Sequence, residues 1–214
     1  MAATLVLSAW EPEIAPLRRL ARGLDPERLA LGTVGVGAVD AAVGAAAAIA
    51  ATRPACVIFV GTAGAYPRGR GTAAIGTAAI ASELCLVSTA ALRGDGYLPE
   101  PVTTRVPTSA PLAAALVACG AGKKPLPLLA VACPIAVTRS ATLGRHVAHA
   151  TGAALENLEA FSVARAATAA GVDAVTAVLG IANRVGPRGH QEWRAHHLAA
   201  SRAACRVVWS FVRA

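Results

Sequence analysis

Asn183 closes the stretch "DAVTAVLGIAN", a buried apolar run that breaks at once into the turn "RVGPR". α/β sheets gather their chemistry at strand tips. An amide there offers N–H donors and one carbonyl acceptor, but no proton to give away; the plain alternative is a side chain that caps a turn. Three other stretches carry groups of comparable interest. In "SAWEPEI", Glu11 and Glu13 sit where a helix begins, and taken alone they answer the positive end of the helix dipole. In "VGTAGAY", Thr62, Ala63 and Gly64 form a small-residue turn behind a buried strand. Such a turn lets backbone N–H groups close on an anion or a ribose, or it is an ordinary glycine turn. In "ALENLEAF", Glu156 and Glu159 stand three apart at the mouth of a helix among Ala, Leu and Phe. Capping is one account of them. The other is that carboxylates in so apolar a segment need partners, and the paired hydroxyls of a ribose supply two hydrogen bonds.

These stretches sit between elements that alternate regularly. Strands are expected at "ATLVLSA", "LALGTVGVG" and "ACVIFVGTAG", with helices through "EIAPLRRLARGL" and "AVDAAVGAAAAIAAT", the second ended by Arg53-Pro54. The continuous apolar character of the third strand fits one covered on both faces. Farther along, "ELCLVSTAAL" reads as a strand, "RGDGYLPEPVTTRVP" as a long loop and "APLAAALVAC" as a helix. The apolar strand "LPLLAVACPIAV" follows, then a helix through "LENLEAFSVARAATAAG", the strand ending at Asn183, and a long closing helix "HQEWRAHHLAASRAACRVVWSFVR". Alternation without a Pro/Ser-rich linker predicts one α/β domain over 1–214 with a largely parallel sheet.

The chain's 214 residues suffice for a substantial core. Its net charge of +8 comes almost wholly from arginine, since Lys123 and Lys124 are the only lysines. The basic residues are scattered, with no striped helix and no aromatic-interleaved basic run, so no nucleic-acid partner is expected. An affinity for small anions fits the same charge. Cys56, Cys85, Cys119, Cys133 and Cys205 are isolated in apolar surroundings without a C-x-x-C pair, and read as small buried thiols in a reducing compartment. The start of the chain lacks the pattern of a signal peptide. "AAVGAAAAIAAT" is too short for a bilayer span and is flanked by Asp40 and Arg53. The expectation is a cytoplasmic protein without membrane attachment. No P-loop is present, and the glycine pair of "GVGAVDAAVG" lacks dinucleotide-binding spacing.

In order and spacing, "AWEPEI", "GVGAVDAA", "VGTAG", "ENLEA" and "GIAN" together resemble the nucleoside phosphorylase/nucleosidase superfamily over nearly the whole chain. Within it, "ENLEAFSVA" followed by "GIANRVGPR" is most similar to the futalosine hydrolases of menaquinone biosynthesis. The resemblance implies a single-domain three-layer α/β/α fold around a mixed, largely parallel sheet, and hydrolysis of a purine nucleoside's N-glycosidic bond. It implies that Glu13 activates water and that Glu159 accepts hydrogen bonds from the ribose hydroxyls. Thr62, Ala63 and Gly64 then lie below the ribose, Leu158 packs under the sugar where a methionine is usual, and Ala136, Val137 and Thr138 line the base pocket. Asn183 matches the position at which adenine-cleaving relatives carry aspartate. Its amide can donate toward N7 and O6 of a 6-oxopurine, which makes hypoxanthine or guanine the expected leaving base.

Futalosine carries a carboxylated aromatic group at its 5′ end, and Arg188 is the expected partner of that carboxylate, ahead of Arg93, Arg105 and Arg139. Tyr97 can close over the site from its loop. His196 and His197 are adjacent and point apart, so they do not clasp a metal; with His146, His149 and His190 they are read as non-catalytic. Neither a metal nor an organic cofactor is implied, and a homo-oligomer, most simply a dimer, is expected. Two other readings stay open. A phosphorylase would hold phosphate with an arginine two residues before the glycine loop, where this chain has Phe59, and a second carboxylate near phosphate would repel it. A catalytically silent nucleoside-binding domain fits the departures at Leu158 and "PRGRG", residues 67–71.

Overall fold

A computed structural model describes residues 3–25, 27–67, 74–120 and 125–214. The apolar runs become strands and the alanine-rich segments helices. In chain order these are β1 (Thr4–Ser8), α1 (Glu11–Leu20), β2 (Leu29–Thr33), α2 (Ala38–Thr52), β3 (Cys56–Ala65), β4 (Ala78–Val87), α3 (Thr89–Arg93), β5 (Arg105–Pro107), α4 (Ala110–Cys119), β6 (Leu128–Pro134), α5 (Ala141–Thr151), β7 (Leu155–Glu156), α6 (Ala160–Ala169), β8 (Val175–Arg184) and α7 (Gly189–Arg213). One mixed sheet holds the strands in the order β2-β1-β3-β7-β6-β4-β5, and β8 pairs with both β3 and β4. The path β3-β7-β6-β4-β8 therefore closes on itself, while β2 and β1 extend from one side of the ring and β5 from another. Pairing is parallel along β2-β1-β3-β8 and β4-β6-β7, and antiparallel between β3 and β7, β4 and β5, and β4 and β8. Strand–helix alternation anticipated the α/β class. It does not indicate the closure, because the ring depends on two antiparallel pairings, β3 with β7 and β4 with β8, that no local pattern records.

Among the described residues the buried apolar side chains form three clusters, the smallest around Tyr66, Val147 and Val185; the two larger ones hold the helices on the sheet. Ala41, Ala45 and Ile49 of α2 pack with Phe161, Val163 and Ala164 of α6 in one; Ile14 and Leu17 of α1 pack with Leu116 of α4 and Ala204 and Val208 of α7 in the other. α7 lies directly on β8. A Cβ added at Gly180 would stand 2.1 Å from the Ala200 carbonyl oxygen, so only glycine permits this backbone-to-backbone approach. Among the described residues no helix is long and apolar enough to cross a membrane.

Four local departures from the sequence pattern have identifiable causes. The segment expected as a strand over 83–92 splits, because the Ser88 hydroxyl accepts the Ala91 N–H and starts the short helix α3. The expected long loop over 93–107 ends in a strand, β5, paired on β4. Helix α5 has no counterpart in the sequence reading: its buried face is only Gly144 and Val147, too slight an apolar stripe to stand out, although Ser140 caps it through the Leu143 N–H. The helix expected from Leu155 starts at Ala160 instead, since Leu155 and Glu156 are drawn into β7.

Candidate active site

The C-terminal ends of β1, β3 and β8 converge with β7 and the first turns of α1, α6 and α7 around a cavity of about 430 Å³. Its floor holds Glu13, from the first turn of α1, which is only 5% exposed. One carboxylate oxygen accepts the Thr62 N–H (3.0 Å) and the Thr62 hydroxyl (2.7 Å), and the other accepts the Ser8 hydroxyl (3.2 Å). Trp193 of α7 donates its indole N–H to the same Thr62 hydroxyl oxygen at 3.1 Å, which completes a relay from α7 to the carboxylate. Burial pushes Glu13 up to about 7; the negative charge of Glu159 adds to the rise, and the Thr62 and Ser8 hydrogen bonds oppose it. A carboxylate poised there changes protonation near neutral pH, as a general base must. Glu11, its neighbour in the motif, instead points outward and pairs with Arg18 at 3.0 Å.

Leu155–Glu159 supplies the opposite wall. Glu156 is buried on β7, accepting the Tyr66 hydroxyl at 2.7 Å and the Thr138 N–H at 3.0 Å. Burial and the adjoining carboxylate push the Tyr66 hydroxyl far up, so it stays a donor. The Asn157 side chain accepts the N–H groups of Glu159 (2.9 Å) and Ala160 (2.7 Å) and donates to the Thr62 carbonyl (3.0 Å). It thereby caps α6 and ties that helix to β3. Glu159 is buried and accepts the Gly37 N–H at 2.9 Å; burial raises its carboxyl above the usual range while the Gly37 amide pulls it back.

A bulge aims Asn183. The β3–β8 register shifts after Ala63, so that Gly64 pairs with Asn183 rather than Ala182. A one-residue slip exchanges the two faces of a strand, and here it turns the amide toward the cavity. Asn183 donates one N–H to the Arg184 carbonyl at 3.0 Å. A Cβ on Gly64 would come within 2.9 Å of the Asn183 amide nitrogen, so glycine keeps that space open.

The structure brings together Glu13, Thr62, Ala63, Gly64, Val137, Leu158, Glu159 and Asn183, all of which line the cavity. Thr138 does not; it is buried, holds Glu156 through its N–H, and its hydroxyl has no hydrogen-bond partner among the described residues. Arg188 stands outside as well. Its side chain is 82% exposed, 3.9 Å from Glu192, because the turn at Gly186-Pro187 presents Gly189, His190 and Trp193 inward and Arg188 outward. The other arginines do not replace it, since Arg93 pairs with Asp95, Arg105 pairs with Glu83, and Arg139 is exposed. Tyr97 is 84% exposed and lies away from the lining. The departure at residues 68–71 lies outside the described residues.

Sequence reasoning missed an aromatic wall. Trp193 stacks on His197 (ring centroids 4.5 Å apart), on His190 (6.1 Å) and on Trp10 (6.2 Å), and Trp10, His190 and Trp193 all line the cavity. The signal was present: positions 190, 193 and 197 follow the three-and-four spacing of one helix face. Elsewhere, burial raises the Cys56, Cys85, Cys133 and Cys205 thiols, which keeps them protonated and unreactive. Among the described residues no three His, Cys, Asp or Glu side chains gather as a metal site would require.

A family model of the phosphorylase superfamily matches residues 11–213, and the chain belongs to that superfamily. The fold is similar to that of Helicobacter pylori 5′-methylthioadenosine/S-adenosylhomocysteine nucleosidase, solved with butyl-thio-DADMe-Immucillin-A (TM-score 0.88, 18% identity, covering 100% of this chain and 98% of that one). It is similar also to Helicobacter pylori futalosine hydrolase (TM-score 0.87, 18% identity, 99% and 97% covered). The Neisseria meningitidis nucleosidase in complex with methylthio-immucillin-A gives a TM-score of 0.85 at 18% identity, with 100% and 99% covered. No match to the chain is found among curated proteins.

Proposed function

We propose that this member of the phosphorylase superfamily hydrolyses the N-glycosidic bond of a purine nucleoside, with futalosine as substrate and hypoxanthine as the released base. The observation that carries the reading is Glu13: a buried carboxylate raised to about 7 on the cavity floor, across from Glu159. In the proposed reaction a water oxygen bonds to C1′ as the C1′–N9 bond breaks. The water's proton passes to Glu13, and the bond's electron pair leaves with the base. Glu159 accepts hydrogen bonds from the ribose hydroxyls and stabilises the oxocarbenium-like sugar. Asn183 donates its remaining amide N–H to the base as negative charge develops.

Hydrolysis is favoured over phosphorolysis by what surrounds Glu13. Among the described residues no arginine or lysine lines the cavity, whereas Glu13, Glu156 and Glu159 do, a poor setting for an incoming phosphate. Phe59 is buried in the core rather than replaced by a phosphate-holding cation. The flat wall of Trp10 and Trp193 supports an aromatic 5′ substituent, and His190, at the start of α7 in the same lining, takes the place expected of Arg188 beside its carboxylate. A second copy of the chain completes the reading: Val36, Val39 and Val43 are exposed at the cavity mouth and along α2, an apolar strip suited to a homodimer.

The test is chromatographic measurement of base released from futalosine, aminodeoxyfutalosine, inosine and methylthioadenosine, each with and without phosphate. Phosphate-independent release of hypoxanthine from futalosine is the expected result. Release only with phosphate makes the protein a phosphorylase, and silence from folded protein makes it a binding domain. Light scattering of the purified protein reads the dimer.

A further inference from the structure

Four rings lie nearly parallel beside the cavity: His190, Trp193 and His197 along one face of α7, and Trp10 at the start of α1. The closest pair is Trp193 and His197, with centroids 4.5 Å apart and planes 20° from parallel. Stacked rings attract beyond the area they bury. His197 is half-buried and is itself held in place. Its Nδ1 lies 3.1 Å from the Trp193 carbonyl oxygen, and a carbonyl only accepts, so Nδ1 carries the hydrogen. One turn on, Ser201 donates to the His197 carbonyl at 2.8 Å. The imidazole is thus a fixed plate behind the indole.

What the indole edge does depends on one hydrogen. The Thr62 hydroxyl has a single proton to give. Because its oxygen accepts the Trp193 N–H at 3.1 Å, that proton is directed to Glu13 Oε1 at 2.7 Å. Oε1 also holds the Thr62 N–H, whereas Oε2 has only the Ser8 hydroxyl. Oε1 is therefore the committed acceptor, and Oε2 is the oxygen left to take a proton. Were the indole to swing away, the Thr62 hydroxyl could rotate and accept from a protonated Glu13 instead. That arrangement favours the acid over the carboxylate.

We propose that His197 is a positioning residue: by stacking behind Trp193 it keeps the indole N–H on Thr62, and so keeps the Thr62 hydroxyl donating to Glu13. The inference rests on Glu13 as the titrating group of the cavity, which also carries the proposed hydrolysis, but its test needs no substrate. β1 and β3 face Glu13 with hydroxyls and an amide. Glu159 at the start of α6 faces it across the cavity, with Glu156 of β7 in the same lining. From α7, the Cys205 thiol donates to the Glu13 carbonyl at 3.2 Å. Glu11, on the same helix, is paired outside with Arg18. All of these stay in place in the variants that test the proposal.

The experiment follows the melting difference between each full-length protein and its Glu13→Gln version from acid to alkaline pH. In wild type that difference grows as the folded chain gives up the Glu13 proton and levels off at about 7. With His197→Ala the levelling point is expected to move up by about half a pH unit, part of what one neutral hydrogen bond is worth on that scale. His197→Phe, which keeps a flat ring without the imidazole's charge, is expected to restore the wild-type point. In a Trp193→Phe background His197→Ala is expected to add nothing, since the N–H that it positions is gone. An unmoved levelling point in His197→Ala overturns the proposal. So does a shift that His197→Phe fails to restore, or one that persists undiminished beside Trp193→Phe. Should His197→Ala fail to fold, His197→Leu, bulky but not flat, takes its place. A protein that shows the shift but releases no base from any nucleoside keeps this inference and loses the hydrolase reading. One that hydrolyses nucleosides with an unmoved levelling point does the reverse.

Discussion

Two short segments bring carboxylates to the cavity, and they treat them differently. In Ser8–Glu13 the one carboxylate that faces the cavity is Glu13, beside the Trp10 ring. It is buried, its partners are two hydroxyls and one amide from the sheet, and desolvation outweighs them, so its proton is held to about pH 7. In Leu155–Glu159 each polar side chain is committed to a separate element: Glu156 to Tyr66 and Thr138, Asn157 to β3 and the first amides of α6, Glu159 to Gly37. The first segment keeps a group that can change its protonation state. The second fixes acceptors in space. Burial alone does not decide a carboxylate's role; the number and kind of donors that accompany it into the interior do.

The largest effect should come from removing the group that titrates. Glu13→Gln is expected to lower turnover by about 10²–10⁴-fold, the range for a lost general base, without loss of hypoxanthine binding. The same change should stabilise the fold at pH 8. The folded chain keeps the Glu13 proton to about 7 while the unfolded chain releases it near 4.5, so between those values the folded state holds more protons and stability falls as pH rises. Melting curves of Glu13→Gln should show a gain of up to about 3 kcal/mol above pH 7, fading toward pH 4.5. An unchanged melting difference across that range would remove the contrast between the segments.

Asn157→Ala attacks the other segment. It orphans the Glu159 and Ala160 amides and the Thr62 carbonyl, and should cost about 2–3 kcal/mol in urea unfolding, together with turnover. Glu159→Gln should lower kcat/KM for ribonucleosides by about 10-fold to 100-fold, and a 2′-deoxy substrate should lose a similar factor with wild-type enzyme but little more with the variant. Additive losses would show that Glu159 does not meet the 2′ hydroxyl. The smallest effect is expected for Trp193→Phe, which keeps the stack but removes the N–H donated to Thr62. A less polarised Thr62 hydroxyl opposes the rise of Glu13 less, so the acid limb of the pH–rate profile should move slightly upward. A limb that stays in place would make Trp193 a packing residue alone.

The same contrast governs what the sequence discloses. α2 and α4 have the bounds that their alanine-rich patterns and flanking Arg53-Pro54 and Ser109 indicate, because local propensity and capping suffice for them. Glu13 and Asn183 sit on elements with clear periodicity, and their motif spacing leads to the cavity. Leu155–Glu159 misleads because its residues answer to distant partners. Glu156 reads as the start of a helix, yet pairing with Gly64 and Ala132 makes it a strand. The bulge that aims Asn183 leaves no mark in "GIAN": Ala182 is the extra residue on β8, but only the pairing with β3 decides which residue is left over. Arg188 faces solvent for a related reason: one residue's rotation at a helix start decides between cavity and solvent, and the motif "VGPR" does not encode that angle.

Gly180 has a mechanical consequence. The backbone contact between it and Ala200 acts as a fulcrum on which the long helix α7 rests. Trp193 lies seven residues toward the helix start from Ala200, an arm of roughly 10 Å at 1.5 Å per residue. Any side chain at position 180 would lift α7 off that pivot and swing the far end through an arc, carrying the indole away from Thr62 although no atom of the cavity had been altered. The alignment of the relay is therefore a property of leverage as well as of chemistry, and its tolerance is set two helical turns away from the groups it serves.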